Sequence, residues 1–341
     1  MPAPAASAND RSKALPDRVA IVGAGALGLA LGTALHASGT EVHLVVRPRS
    51  GRAPELSHGY RRGGIFGEAF VPSPAVHVHD DVGALAGLDP DFTLVCTKTT
   101  ATETLAPALG RALGSMQRRS PLVVCHNGWG SAERFAAHSS PERVFSGRVI
   151  TGFRLIEPAR VDVTVHAEPI HLGSLFGADP QVLAPLAAAI DGGGLPCAVT
   201  VDVRADLLAK LLYNGLLNPL GALVGAPYGE LGERPPTRAI MQALAREIFA
   251  VFAAAGLVTH WPDAEAYLET FFGELLPPTT GHESSMLQDL RAGRATEIDA
   301  ISGAVCELGA AHDVETPCNA ALVALVHAVE ARSATRAEHA V

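Results

Sequence analysis

A lysine and two asparagines stand four residues apart in a leucine-rich run: Lys210, Asn214 and Asn218. Steps of four put all three on one face of a helix. Leu207, Leu208, Leu211, Leu212, Leu216 and Leu217 surround them. An ammonium among leucines is costly unless it is solvated or paired. Polar groups aligned in this way suggest a pocket wall. The competing reading is a partly exposed helix face. Pro219 comes directly after and is expected to kink or end the helix. Further on, Ser285 and Glu297 are twelve residues apart. On one straight helix they would lie about 18 Å apart along the axis. Gly293 makes a break plausible, and Thr296 with Asp299 reads as a capping pair. Two helices meeting at that elbow bring Ser285 and Glu297 to a common site.

A second constellation lies near the start. Gly23-Ala24-Gly25-Ala26-Leu27-Gly28 fits G-x-G-x-x-G, with an apolar run before it and a helical pattern after it. In that context Gly23 permits the tight turn, Gly25 lets the backbone approach a pyrophosphate, and Gly28 lets helix and strand pack closely. The helix amino terminus at Ala26 and Leu27 supplies N–H donors and a favourable dipole. The competing reading is a glycine-rich turn that binds nothing. NAD-preferring versions carry an acidic residue at the end of the second strand. Here Arg47 holds that place, with Arg49 close behind. An arginine matches the 2′-phosphate of NADP in charge and fork geometry. The expected cofactor is therefore NADPH, against the alternative of a solvated surface arginine. Lys98 and Asn127 come just after two later apolar runs, at the strand ends where open α/β sheets bind ligands. Asn127-Gly128-Trp129-Gly130 is also a turn signal, which leaves a purely structural role for Asn127 open.

The elements that must position these groups change character along the chain. Strand patterns at Arg18–Val22, Glu41–Val46, Phe92–Thr97 and Leu122–Cys125 alternate with helical stretches at Ala26–Ser38 and Ala101–Leu113, which indicates parallel βαβ units. Strands at Arg143–Thr151, Asp162–Ala167, Ile170–Leu172 and Cys197–Val201 come next, with a helix at Gln181–Asp191. From Asp202 onward the segments Arg204–Leu217, Thr237–Ala255, Ala264–Glu274, Ser284–Leu290, Glu297–His312 and Asn319–Arg332 carry helical periodicity. The expected organisation is a disordered tail over 1–17, a nucleotide-binding domain over 18–201 and a helical substrate domain over 202–335.

The 341 residues are 48% hydrophobic and 18% charged, ample for packed cores. The net charge is -9, and no lysine- or arginine-rich block marks a nucleic-acid face. The five cysteines, Cys96, Cys125, Cys197, Cys306 and Cys318, form no C-x-x-C pair. That reads as a reducing compartment without disulfides. The histidines form no metal-ligand spacing, and His77 and His79 read as surface positions on one strand. The first residues lack the apolar core of a secretory signal. Leu211–Pro227 is too short and polar to span a membrane. A cytoplasmic enzyme with no membrane or nucleic-acid partner is expected. The apolar faces of the helical domain suit a homodimer.

Five motifs in order carry a family resemblance: Gly23–Gly28; Cys96-Thr97-Lys98; His126-Asn127-Gly128; Lys210, Asn214 and Asn218 with Pro219-Leu220; and Ser284–Asp289 followed by Thr296–Asp299. The chain resembles the ketopantoate reductase (2-dehydropantoate 2-reductase) family, over nearly its whole length. The resemblance implies a Rossmann-like α/β domain followed by an all-α domain like the C-terminal one of 6-phosphogluconate dehydrogenase. It implies NADPH-dependent reduction of ketopantoate to D-pantoate, a step of pantothenate biosynthesis. It makes Lys210 the general acid and puts Glu297 near substrate and ribose. Asn127 and Lys98 would lie between nicotinamide and substrate, and Arg47 at the 2′-phosphate. Asn214, Asn218 and Ser285 would hold the 2-oxo acid, with His282 beside them where the family pattern carries Asn. Ile150–Leu155 and Glu168 are bulkier and more charged than that pattern. A family member acting on a different 2-oxo or 3-oxo acid, in specialised metabolism, is the alternative. A non-enzymatic NADP-binding sensor would not need the Lys210 face or Glu297.

Overall fold

The computed structural model describes residues 15–47, 52–117 and 119–338. Arg49 and most of the expected N-terminal tail lie outside the described residues. The chain forms two compact units. One runs to His126 and resumes over Ser131–Val203; the other joins Asn127–Gly130 to the chain from Arg204 onward.

Among the described residues the first unit contains twelve strands: β1 (Arg18–Val22), β2 (Glu41–Val45), β3 (Gly59–Gly64), β4 (Ala69–Pro72), β5 (His77–His79), β6 (Phe92–Val95), β7 (Leu122–Val124), β8 (Val144–Arg148), β9 (Gly152–Glu157), β10 (Arg160–Val165), β11 (Ile170–Gly173) and β12 (Cys197–Val199). Its helices are α1 (Ala26–Ala37), α2 (Arg52–Leu56), α3 (Leu85–Leu88), α4 (Thr102–Gly114), α5 (Ser131–Ala136) and α6 (Ala184–Gly192). Eight strands form one sheet in the order β12-β11-β8-β7-β6-β1-β2-β5, parallel except between β8 and β11. The middle of this sheet is apolar on both faces, as in the wholly buried run Val19-Ala20-Ile21-Val22. That is the signature of a parallel sheet covered on both sides. β1 lies between β2 and β6, so the connections leaving it and β6 diverge. The crevice at such a switch point is where ligands bind.

A second sheet, β4-β3-β10-β9, departs from the sequence reading, which places one strand near Asp162–Ala167 and none at β3, β4 or β9. Pro158 and Ala159 turn the chain between β9 and β10. β3 is rich in glycine and arginine, so period-two alternation is weak there. Gly64 has φ +95°, and a Cβ on it would stand 2.1 Å from the Val163 carbonyl oxygen. This sheet contributes Tyr60, Val71, Val161 and Val163 to the core that buries α1. It explains why α1 is apolar on every side: Gly28 through Leu35 are all buried. His77 and His79, expected at the surface, are half-buried instead. The buried His43 ring stacks on both, at 4.7 and 5.2 Å, and its Nε2 lies 2.6 Å from Glu41 Oε1. His43 and then Arg18 hold the Glu41 carboxyl down at about 2.

The second unit is helical: α7 (Val203–Val224), α8 (Tyr228–Glu233), α9 (Pro235–Ala254), α10 (Ala264–Thr270), α11 (Ser285–Arg291), α12 (Ser302–Ala311) and α13 (Pro317–Glu338). α7 does not end at Pro219 but continues to Val224. Leu216, Leu217 and Leu220 are anchored in the core on either side of the proline, and that packing carries the helix past the missing N–H. By length and composition α7 could cross a membrane. Its Leu208, Leu211, Leu212, Leu216 and Leu217 are instead buried with Met241, Leu244, Ile248 and Phe252 of α9 in one core.

Candidate active site

In the first unit the fingerprint turn has the geometry its glycines predict. Gly23 has φ +108°, and a Cβ there would stand 2.7 Å from the Thr97 nitrogen. A Cβ on Gly28 would stand 2.0 Å from the Gly23 carbonyl oxygen. Both glycines are therefore required by close packing. Gly25 is different: it caps α1, and a Cβ there would meet nothing within 4 Å. No side chain caps the first turn of α1. Gly25, Ala26 and Leu27 are half-buried around these uncapped amides. An open approach beside uncapped N–H groups is the cradle a pyrophosphate requires. Arg47 lies just past β2 and is exposed. Lys98 lies just past β6, half-buried, and heads the short turn Thr99–Ala101. The donor set fits the phosphates of a dinucleotide.

In the second unit three of the expected residues are joined. Lys210 Nζ donates to Asn127 Oδ1 at 2.7 Å, and Asn127 Nδ2 donates to Glu297 Oε2 at 2.8 Å. All three are half-buried. The amide is read unambiguously from its partners: the acceptor end faces a cation and the donor end a carboxylate. One residue thus connects an ammonium to a carboxylate.

Local backbone features bring these side chains together. Gly128 has φ +80°, and a Cβ there would stand 1.9 Å from the Ala300 carbonyl oxygen. The Trp129 N–H donates to that same oxygen at 2.9 Å. The 127–130 turn is therefore seated on the segment that carries Glu297. On the other side α11 stops at Arg291, Gly293 takes φ +62°, and the Arg294 N–H returns to the Asp289 carbonyl at 2.9 Å. The elbow lies where the sequence predicts it, but the chain beyond it differs from the expected continuous helix. Glu297 heads a single short turn, Ile298–Ala300, and α12 starts only at Ser302. Of the expected capping pair only Thr296 acts on the turn, its Oγ1 accepting from the Ile298 N–H at 3.3 Å, and Asp299 does not reach back to it. The Thr296 N–H donates to Glu330, and Asp299 contacts His327.

Asn214 is half-buried one turn beyond Lys210 on α7. Asn218 is 4% exposed, and its Oδ1 accepts from the Tyr228 hydroxyl at 2.7 Å. Burial pushes the Tyr228 phenol far up, so it stays a donor. Ser285 is exposed as the first residue of α11, while its neighbour Ser284 is wholly buried and caps that helix through the Leu287 N–H. The His282 ring packs edge-on to Tyr228 at 5.1 Å, and burial holds it below the usual histidine range. Tyr228 is not legible in the sequence as a site residue, because its alignment with Asn218 depends on how α8 folds back. Tyr213 also escapes the sequence reading, although it lies three residues beyond Lys210; its hydroxyl is 2.6 Å from Thr279 Oγ1.

Comparison with known proteins gives concordant matches. The family model described as Ketopantoate reductase PanE/ApbA matches residues 19–176, and Ketopantoate reductase PanE/ApbA C terminal matches residues 202–330. A 2-dehydropantoate 2-reductase of Aquifex aeolicus (strain VF5) is 33% identical over 311 residues, covering 91% of this chain and 96% of the relative. The crystal structure of 2-dehydropantoate 2-reductase from Geobacter metallireducens GS-15 has a TM-score of 0.79 and 28% identity, covering 91% of this chain and 99% of that one. A structure of D-mandelate dehydrogenase with NADH and anilino(oxo)acetate shares the fold, with a TM-score of 0.77 at 24% identity over 93% and 99% of the two chains.

Proposed function

The chain belongs to the ketopantoate reductase family, and we propose that it is an NADPH-dependent reductase that converts the 2-oxo acid ketopantoate to D-pantoate. The observation that carries this reading is the Lys210–Asn127–Glu297 chain. The bound nicotinamide would supply the hydride. The chain's own residues do the rest. The amides at Gly25, Ala26 and Leu27 bind the pyrophosphate, with Gly23 and Gly28 shaping the turn. Arg47 pairs with the 2′-phosphate, and Lys98 adds positive charge past β6. Lys210 stabilises the negative charge growing on the keto oxygen and gives it a proton. Asn127 accepts from the ammonium and so helps to fix its position. Glu297 fixes the orientation of that amide. Asn214, Asn218 and Ser285, with His282 beside them, bind the carboxylate and hydroxyl groups of the substrate. The five cysteines are free.

A second reading is the same reaction on a 2-oxo acid with a larger apolar substituent. The Tyr228 hydroxyl donates to Asn218, and the rings of Tyr213 and His282 pack edge-on against Tyr228, an aromatic cluster that favours an aryl substituent over the branched hydroxyalkyl group of ketopantoate. The test is the rate of NADPH and NADH oxidation with ketopantoate and a panel of 2-oxo acids. Turnover with ketopantoate and a preference for NADPH are expected. Higher kcat/KM on an aryl or alkyl 2-oxo acid would select the second reading, and no turnover on any of them would end both.

A further inference from the structure

The segment that carries Glu297 is gripped by the last helix. Thr296 is buried, and its N–H donates to Glu330 Oε1 on α13 at 2.7 Å. His327, one turn earlier on α13, lies between the same carboxylate and the other side of the segment. Its Nδ1 is 2.9 Å from Glu330 Oε2, and its Nε2 is 2.8 Å from Asp299 Oδ1. Two side chains of α13 thus hold position 296, just before Glu297, and position 299, two after it. The turn between them is a three-residue 3-10 helix, a form with strained hydrogen bonds and little stiffness of its own. Both ring nitrogens of His327 face carboxylate oxygens. Only the imidazolium form can donate to both; a neutral ring leaves one nitrogen lone pair against a carboxylate.

We propose that Glu330 and His327 are positioning residues for Glu297, a clamp that closes when His327 is protonated and loosens when it is not. This rests on the reading that Glu297 serves the reduction. Glu330 and Asp299 raise the affinity of His327 for its proton above the ordinary histidine value. A raised value in the folded chain means the contact is complete at low pH and is lost as pH climbs through that value. The other charged groups on the packed elements have their own contacts. On α11, Asp289 pairs with Arg294 and Arg291 with Glu283. Glu247 of α9 accepts from the N–H groups of Cys318 and Asn319 at the far end of α13, and α12 contributes Glu307.

The experiment uses the full chain, its His327→Gln variant and its Glu330→Gln variant. Amide hydrogen exchange over 296–301 is read at matched pH, together with the steady-state kinetics of NADPH-dependent oxo-acid reduction across pH. The wild type is expected to lose protection at this turn, and kcat/KM, along one limb as pH rises. In His327→Gln that limb is absent, and exchange at the turn is faster by about tenfold or more, as for loss of a charge-assisted bond. Glu330→Gln keeps an acceptor for Thr296 but removes charge from His327. Its limb therefore moves to lower pH, a shift that a merely structural role would not produce. Wild-type exchange and an unmoved pH limb in both variants would overturn the clamp. A wild type that turns over no 2-oxo acid would overturn the functional reading instead, and exchange at 296–301 would still decide the clamp.

Discussion

Replacing Asn127 with Asp keeps the size and shape of the side chain but turns an N–H donor into a negatively charged acceptor. The amide nitrogen that donates to Glu297 at 2.8 Å becomes an oxygen that cannot donate when ionised. Two unit charges at that separation repel by about 6 kcal/mol at an effective dielectric of 20. The Lys210 ammonium, 2.7 Å from the other oxygen, and water at these half-buried groups offset most of that, leaving about 2 kcal/mol. Loss of a charge-assisted hydrogen bond adds about 1.5 to 2 kcal/mol. Together these predict that kcat/KM falls by about 10² to 10³. The loss depends on pH with a definite sign. Facing carboxyls retain one proton to higher pH than a lone carboxyl does. Below that titration the introduced group is an O–H, donates to Glu297 as the amide did, and restores activity. The assay is kcat/KM for Asn127→Asp against pH, beside the wild type. Wild-type values throughout, or a loss that does not shrink as pH falls, would refute the idea that this amide works by donating to Glu297.

The geometry predicts three further outcomes. Gly128→Ala puts a Cβ at 1.9 Å from the Ala300 carbonyl oxygen at a φ of +80°. The turn must move by about 1 Å, and kcat/KM should drop about 10²-fold; steady-state kinetics within twofold of wild type would contradict that. Tyr228→Phe strips the donor from Asn218 Oδ1 and leaves a buried acceptor unmatched, at about 1 to 2 kcal/mol. KM for the oxo acid should rise roughly five- to tenfold with kcat less affected; equal changes in the two would remove Asn218 from substrate binding. Arg47→Asp should swing the NADPH-to-NADH ratio of kcat/KM by about 10²-fold or more, the worth of an arginine–phosphate pair. An unchanged ratio would make Arg47 a surface residue.

The parts of the site readable in the sequence are those fixed by local rules. Gly23, Gly25 and Gly28 are legible because turn, approach and packing each demand glycine at a set spacing. Lys210, Asn214 and Asn218 are legible because helical periodicity alone aligns them. Gly293 marks the elbow because a helix stop is a local event. The hidden parts depend on long-range pairing. β3 is made of glycine, arginine and one tyrosine and β4 is four residues ending in proline, and only pairing with each other and β10 and packing on α1 make them strands. Tyr228 reaches Asn218 through the return of α8, and Glu330 reaches Thr296 across thirty-four positions of chain. Neither contact leaves a periodic trace. The histidine stack at His43, His77 and His79 is the same case, since it exists only where β2 pairs with β5.

The central claim is that the ammonium of Lys210, held by Asn127, protonates the reduced oxygen of a 2-oxo acid. Its most direct test is Lys210→Ala assayed for NADPH oxidation with ketopantoate, alongside fluorescence titration of NADPH binding. The account predicts that kcat falls by about 10²-fold or more, the usual worth of a general acid, with the nucleotide bound as tightly as before. A variant that turns over at nearly the wild-type rate would contradict it.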